Sequence, residues 1–332
     1  MIGRRTFLTL LGGAAAAWPL AARAQQPDRM RRLGILMGLS SDDVQQRVEL
    51  AALSQELQKL GWTDGRNIQV YYRWGASDAD QTWTSAKELV ELQPDVIVAH
   101  STSAVSALAQ QTRTVPIVFV LVSDPVGNGF VENWTKPGGN ITGFTDFEPP
   151  MAGKWLELLR QIAPHVTQVA LLFNPETAPG GGAVFLDPIE KAAPGFGLNW
   201  MPASVRNTDE IETICAVLGR HGATGILVMP DVFTTAHRAQ IIARAARYRL
   251  PAVYAYRYFA TDGGLLSYGI DPVGQCRQAA AYVERILKGT PAGLLPIQAP
   301  TKFELVINLK TAKALDLDVP PMLLALADAV VE

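Results

Sequence analysis

The sequence predicts an α/β protein built as two doubly wound parallel-sheet lobes joined by a three-crossing hinge. Three observations lead there. Strand and helix patterns alternate along nearly the whole chain, a stretch rich in Gly, Pro and Asn at 123–145 cuts the alternation into two sets, and further elements follow the second set. Short Val and Ile runs without polar alternation mark strands covered on both faces, which calls for parallel strands between helices. A chain of 332 residues with 48% hydrophobic content exceeds what one core comfortably organises, and two sets give two cores of ordinary domain size.

The first set opens with an apolar strand at 33–38, after which Leu50, Leu53, Leu57 and Leu60 recur at helical spacing until Gly61 stops the helix. A strand at 68–74, a helix around 82–92, a strand at 95–100, a helix from Ser103 and a strand at 116–122 continue it. The second set runs through a helix near 151–162, a strand at 169–174, a helix near 184–193 and a strand at 198–205. It ends with a helix at 209–219, a strand at 225–230, a helix at 235–248 and a strand at 252–256. Beyond these come an apolar strand at 265–270, a long helix at 275–287 stopped by Gly289, and a strand near 303–307. One lobe can hardly absorb this tail. A chain that crosses back would form lobe 1 from 28–145 plus 263–295 and lobe 2 from 146–262 plus 296–332, with a cleft at the hinge.

Residues 1–24 carry the three-part order of a removable export signal: Arg4 and Arg5, an apolar stretch at 7–20, then small residues at Ala22 and Ala24, with cleavage expected near Ala24. The stretch is interrupted by Gly12, Gly13 and Pro19 and falls short of the roughly 20 apolar residues a spanning helix needs. Arg4-Arg5-Thr6-Phe7-Leu8 is similar to a twin-arginine signal, although general secretion also accepts two arginines. Either route leads to the periplasm. Three of the 29 basic residues and none of the 31 acidic ones lie in this segment, so the remainder carries a net charge of about −5. That excludes nucleic acid as a partner, because the only basic run, Arg29, Arg31 and Arg32, reads as a solvated arm. Cys215 and Cys276 fall in different lobes under this division and are expected to be free, buried thiols.

Ligands of open α/β sheets bind beyond the carboxyl ends of the strands. Ser40, Ser41 and Asp42 follow the first strand, Ser101, Thr102 and Ser103 the third, and Ser123 and Asp124 the fourth. Hydroxyls before a helix are first of all N-caps. Their recurrence at matching places also suits an anionic head group held at helix N-termini. Catalytic patterns are missing. The four histidines lack the i, i+4 pairing of a helical zinc site, neither cysteine lies in a Cys-x-x-Cys pair, and no hydrolase elbow or dinucleotide fingerprint occurs. No metal and no cofactor are therefore expected. His100 follows a strand and reads as a hydrogen-bonded wall residue, because base chemistry needs a positioned partner. Asp124, Asp146, Glu176 and Asp231 lie in or near predicted cleft loops, where a pair suits acid/base work and a single carboxylate suits an ammonium. Tyr254, Tyr256 and Tyr258 cluster with Arg257, a grouping that suits stacking on an organic solute with its carboxylate paired to the arginine.

Several segments together resemble the substrate-binding proteins of ABC transporters, of the tryptophan/tyrosine-transport type. They are Ser123-Asp124-Pro125-Val126, then Pro137-Gly138-Gly139-Asn140-Ile141-Thr142-Gly143, then Leu171-Leu172-Phe173-Asn174-Pro175. Gly263-Gly264-Leu265-Leu266-Ser267-Tyr268-Gly269 and the stretch at 300–312 complete the set. A turn where such families often carry glycine reads Ala314-Leu315-Asp316-Leu317 here, away from the cleft. The resemblance covers the chain beyond the leader. It implies a type I periplasmic-binding-protein fold, a monomer that closes on a small solute, delivery to an inner-membrane permease, and no enzyme activity. Carried over residue by residue, it implies ligand contacts at Ser40, Ser41, Thr102, Ser103 and Asp124 from lobe 1 and at Asn174, Asp231 and Tyr256 from lobe 2. In an amino-acid reading, hydroxyls and helix starts take the carboxylate, Asp231 or Asp124 the ammonium, and Tyr256 the side chain. The rivals are an enzyme on the same scaffold, using His100 or a carboxylate pair, and a subunit that reports its closed state to a membrane receptor.

Overall fold

The computed structural model describes residues 29–332; the expected leader at 1–24 lies outside the described residues. Its first half runs β1 (Arg31–Met37), α1 (Val44–Lys59), β2 (Ile68–Trp74), α2 (Ala79–Glu91), β3 (Val96–His100), α3 (Thr102–Gln111), β4 (Ile117–Val122) and β5 (Ile141–Thr145). These strands form one parallel sheet in the order β2-β1-β3-β4-β5. Each helix starts on a side-chain cap: Asp43 accepts the N–H of Gln46, Asp78 that of Gln81 and Ser101 that of Ala104. Strand β5 lies inside the stretch expected to be irregular, where Gly143 interrupts its five residues and hides it from pattern reading.

The second half continues with α4 (Pro150–Ile162), β6 (Gln168–Phe173), α5 (Ala183–Ala192), β7 (Asn199–Ser204), α6 (Thr208–Gly219), β8 (Thr224–Val228), α7 (Val232–Ala236), α8 (Arg238–Arg247), β9 (Ala252–Tyr254), α9 (Arg257–Thr261) and β10 (Leu266–Ile270). The chain ends with α10 (Pro272–Leu287), β11 (Phe303–Asn308), α11 (Leu309–Ala314), α12 (Pro321–Leu326) and β12 (Ala329–Val331). The helix expected at 235–248 is two helices, since Asp231 caps α7 early and His237 separates it from α8. The second sheet has seven strands in the order β12-β11-β10-β9-β8-β6-β7. All its pairings are parallel except β10 with β11.

The tail divides differently from the expectation. The strand expected to complete the first lobe, β10, pairs with β9 and β11 inside the second sheet. The reason is the short crossover helix α9, which makes β9-α9-β10 an ordinary βαβ unit and has no counterpart among the expected elements. The segment from α10 to Leu295 returns, laying Cys276, Ala279, Ala280, Val283, Ala292 and Leu295 in one core with Leu33, Leu53 and Leu57 of the first lobe. The crossing back therefore falls at Asp271. The third crossing follows Gln298, which bonds along β5 through Gly143 and Thr145 before the chain enters β11. Cys215 lies in the second core and Cys276 in the first, both free and buried.

At one point the first sheet reaches toward the second core. Leu121 takes a left-handed backbone with φ of 54°, the β4–β5 register shifts between Phe119 and Val122, and its N–H is taken by Gln275 Oε1 of α10 at 3.2 Å. This bulge turns the Leu121 side chain out of its own lobe to pack in the second lobe's core. No helix among the described residues is long and apolar enough to cross a membrane.

Candidate functional site

The carboxyl ends of both sheets face each other across a narrow cavity of about 30 Å³, room for about two waters as the lobes stand. The first lobe lines it from the ends of β1 and β3 and the inner face of α1, the second from the loops after β6, β8 and β9. Asp146, at the first crossing, forms part of its wall.

On the first lobe, a chain of hydrogen bonds starts at the backbone. Leu39 N–H donates to Gln46 Oε1 at 3.0 Å, which fixes the amide so that Nε2 is the donor. Gln46 Nε2 lies 3.2 Å from His100 Nδ1, and His100 Nε2 lies 2.7 Å from Glu49 Oε2. With Nδ1 accepting, the imidazole is the neutral Nε2–H tautomer and donates to Glu49. All three side chains are buried.

On the second lobe, Asp231 is the N-cap of α7. Its Oδ1 accepts from Thr234 N at 2.8 Å and Thr177 Oγ1 at 3.2 Å, and its Oδ2 from Asn174 N at 3.1 Å. Burial nevertheless pushes this carboxyl up to about 6. Tyr256 and Tyr258 stack with ring centroids 5.3 Å apart. The Tyr256 hydroxyl donates to Asp146 Oδ2 at 2.7 Å, and Ser123 Oγ donates to Oδ1 at 2.7 Å. Burial raises the Asp146 carboxyl against both donors, while burial and then the Asp146 charge keep the Tyr256 phenol protonated.

The lobes touch directly at the cleft edge. Arg238 Nη1 meets Asp43 Oδ2 at 2.7 Å, with side chains only 15% and 10% exposed, and Ser77 Oγ donates to Val232 O at 3.1 Å. A Cβ on Gly38 would come within 2.8 Å of Val232 Cγ1, so the second lobe's loop rests on bare backbone of the first.

Of the residues expected at the ligand, Thr102, Asp231 and Tyr256 line this cavity. Ser103 faces a neighbouring open groove beside Trp83 and Phe130, and Asn174 a second groove beside Arg206. Ser40 and Ser41 are exposed and line no part of the cavity, Ser40 being hydrogen-bonded to Asp42. Asp124 closes its own turn by accepting Gly127 N at 2.8 Å. Asn174 likewise serves a turn, its Oδ1 accepting Glu176 N at 2.8 Å. Arg257, read as a carboxylate partner, instead bonds Glu304 at 2.9 Å away from the cleft. Sequence reasoning missed Gln46 and Glu49. A signal existed: with Leu53 and Leu57 they continue one helical stripe at 46, 49, 53 and 57, where polar residues replace apolar ones on the buried face.

Residues 34–331 match the family model described as ABC transporter substrate binding protein. The chain belongs to this family. Its members bind small-molecule solutes and work with a permease; they are solute binders, not enzymes. The chain is 26% identical over 262 residues to a tyrosine-binding protein of Clostridioides difficile (strain R20291), covering 79% of this chain and 74% of that one. It superposes with a TM-score of 0.84 on an ABC domain from Streptococcus pneumoniae in complex with L-Trp, at 23% identity over 91% of this chain and all of that one. On the ligand-free, open structure of a substrate binding protein from Clostridium difficile the TM-score is 0.66, again at 23% identity, with 91% and 99% covered. The type I solute-binding architecture is thus shared.

Proposed function

We propose that this protein is the periplasmic, monomeric solute-binding subunit of an ABC importer, capturing a small aromatic or amino-acid-like solute between its lobes. The observation that carries the reading is the cavity itself: a polar wall from one lobe faces stacked tyrosines from the other, and direct inter-lobe bonds close its edge. A solute touching both walls stabilises the closed arrangement by its differential affinity, and the permease reads that arrangement. The named specificities of the tyrosine-binding relative and the L-Trp complex support an aromatic solute. Thr102 at the start of α3, with Asp231 and Tyr256 opposite, remain the proposed contacts among those drawn from the sequence.

A thermal-shift screen of the purified protein against amino acids, aromatic amines and small carboxylates tests binding, since a ligand at 100 times its Kd adds about 2.7 kcal/mol of stability. Labelled-solute uptake by cells with and without the gene then tests transport. Chemical turnover of the bound compound, or uptake unchanged by the deletion, would sink the proposal.

A further inference from the structure

Among the described residues the cavity wall contains three carboxyl groups, Glu49, Asp146 and Asp231, and no lysine or arginine. The three are not equivalent. Asp231 and Asp146 have both oxygens engaged by protein donors. Glu49 gives Oε2 to His100, and among the described residues no donor reaches Oε1. Glu49 is 3% exposed and lines the cavity.

The hydrogen-bond chain from Leu39 through Gln46 fixes His100 as a neutral donor. The imidazole therefore orients the Glu49 carboxylate without cancelling its charge. Nearby compensation is partial: the starts of α1 and α3 contribute roughly half a unit of positive charge each. A carboxylate buried with one unpaired oxygen is unfavourable until a cation joins it. A solute carboxylate would instead enter a wall already holding three acids, two of which burial has made reluctant to ionise.

Resting on the reading of the cleft as the solute site, we infer that the solute is a protonated organic amine whose ammonium seats on Glu49 Oε1. Its body lies against Tyr256 and Tyr258, and a free carboxylate on the solute weakens binding. Gln46 and His100 are positioning residues that hold the anchor in place.

The test compares three members of a series on the wild-type protein by calorimetry and thermal shift: tyramine, tyrosine and 3-(4-hydroxyphenyl)propanoate, with tryptamine and tryptophan as a second pair. The amines are expected to bind at least tenfold more tightly than their amino acids, and the deaminated acid to give no shift. Glu49→Gln, which keeps the shape and an acceptor for His100, is expected to weaken amine binding at least tenfold. Tighter binding of tyrosine or tryptophan than of the amine overturns the inference while leaving the solute-binding reading intact. So does binding of the deaminated acid as tight as the amine, or an unchanged amine affinity in the variant. If none of the five compounds binds, both the inference and the aromatic-solute reading fall. The ligand series needs only the wild-type chain, so a variant that failed to fold would not spare the inference.

Discussion

On the first lobe's wall, Glu49 stands at the end of one chain of hydrogen bonds and keeps an oxygen open to the cavity. On the second lobe's wall, Asp231 gathers three donors, two from the loop after β6 and one from the first turn of α7. Both are buried acids facing the same space, yet one is unsaturated by protein and the other saturated. The difference separates two jobs. A saturated acid organises its own lobe, capping α7 and tying the loop after β6 to the loop after β8, whereas an unsaturated one is available to something that is not part of the chain.

Deleting the two carboxylates should therefore have opposite effects on the ligand-free protein. Asp231→Ala removes a helix cap and leaves the N–H groups of Asn174 and Thr234 buried without partners, a loss of about 3–5 kcal/mol from caps and unsatisfied donors together. Glu49→Gln removes a buried charge that is only partly compensated while preserving the bond to His100, so its stability should match or exceed the wild type. Urea unfolding of both variants without ligand checks the contrast. Equal destabilisation on the two walls would break it.

A smaller effect comes from protons. Burial raises Asp231 from the ordinary 3.8 to about 6 in the folded protein. Below pH 4 both folded and unfolded forms are protonated; as pH rises toward 6 the unfolded chain releases its proton first, so the folded state loses stability. The shift corresponds to about 3 kcal/mol, and it is absent in Asp231→Asn. The stability advantage of wild type over that variant should shrink by up to that amount between pH 4 and pH 7. A pH-independent difference in matched unfolding curves would mean that the three donors hold the carboxylate ionised throughout.

The two walls also differ in how readable they were. Alternating strand and helix patterns announced both sheets, because burial on two faces writes itself into Val and Ile runs such as Ile117–Val122. Residues that line the second wall, Asp231 and Tyr256, follow strand ends directly and were found. The first wall's anchor was not, because Glu49 sits in the second turn of a helix whose buried stripe mixes Gln and Glu with Leu. Its place on the stripe of Leu53 and Leu57 marks it as buried, but the partner it meets is decided only when β3 brings His100 against it. Strand β10 was expected in the wrong lobe for a related reason: which sheet a strand joins is decided by its crossover, and a five-residue helix such as α9 is too short to leave a periodic signal. Ser40 and Ser41 show the converse, hydroxyls in the right loop but turned to solvent.

Closure brings the walls into contact, and Gly38 tests whether that contact limits it. Gly38→Ala would place a methyl 2.8 Å from Val232 Cγ1 and crowd Ser101 Oγ at 3.0 Å. Overpacking of about 1–2 kcal/mol, carried mainly by the closed arrangement, should weaken solute binding roughly tenfold and raise the radius of gyration in small-angle scattering. Adding Val232→Ala should restore much of both. If the double variant behaves as the sum of two independent losses, the clash lies within the first lobe and not between the walls.

The smallest expected effect belongs to the ion pair that, among the described residues, joins the lobes at the cleft edge. Arg238 reaches Asp43 at 2.7 Å while also bonding Asp262 at 3.2 Å and lying 5.7 Å over the Tyr258 ring. Two of those three contacts are within its own lobe and persist when the cleft opens, so only the bond to Asp43 distinguishes closed from open. Opening releases both charges to water, which returns much of what the pair contributes. Arg238→Met, which keeps an apolar stem beside Tyr258, should therefore weaken solute affinity by about 1 kcal/mol, or roughly fivefold. The wild-type affinity should fall with added salt more steeply than that of the variant, because only the wild type carries a screenable contact between the lobes. A loss of 100-fold or more would mean that Arg238 touches the solute itself, and an unchanged affinity with unchanged salt dependence would mean that Gly38, Val232 and Ser77 hold the closed edge without it.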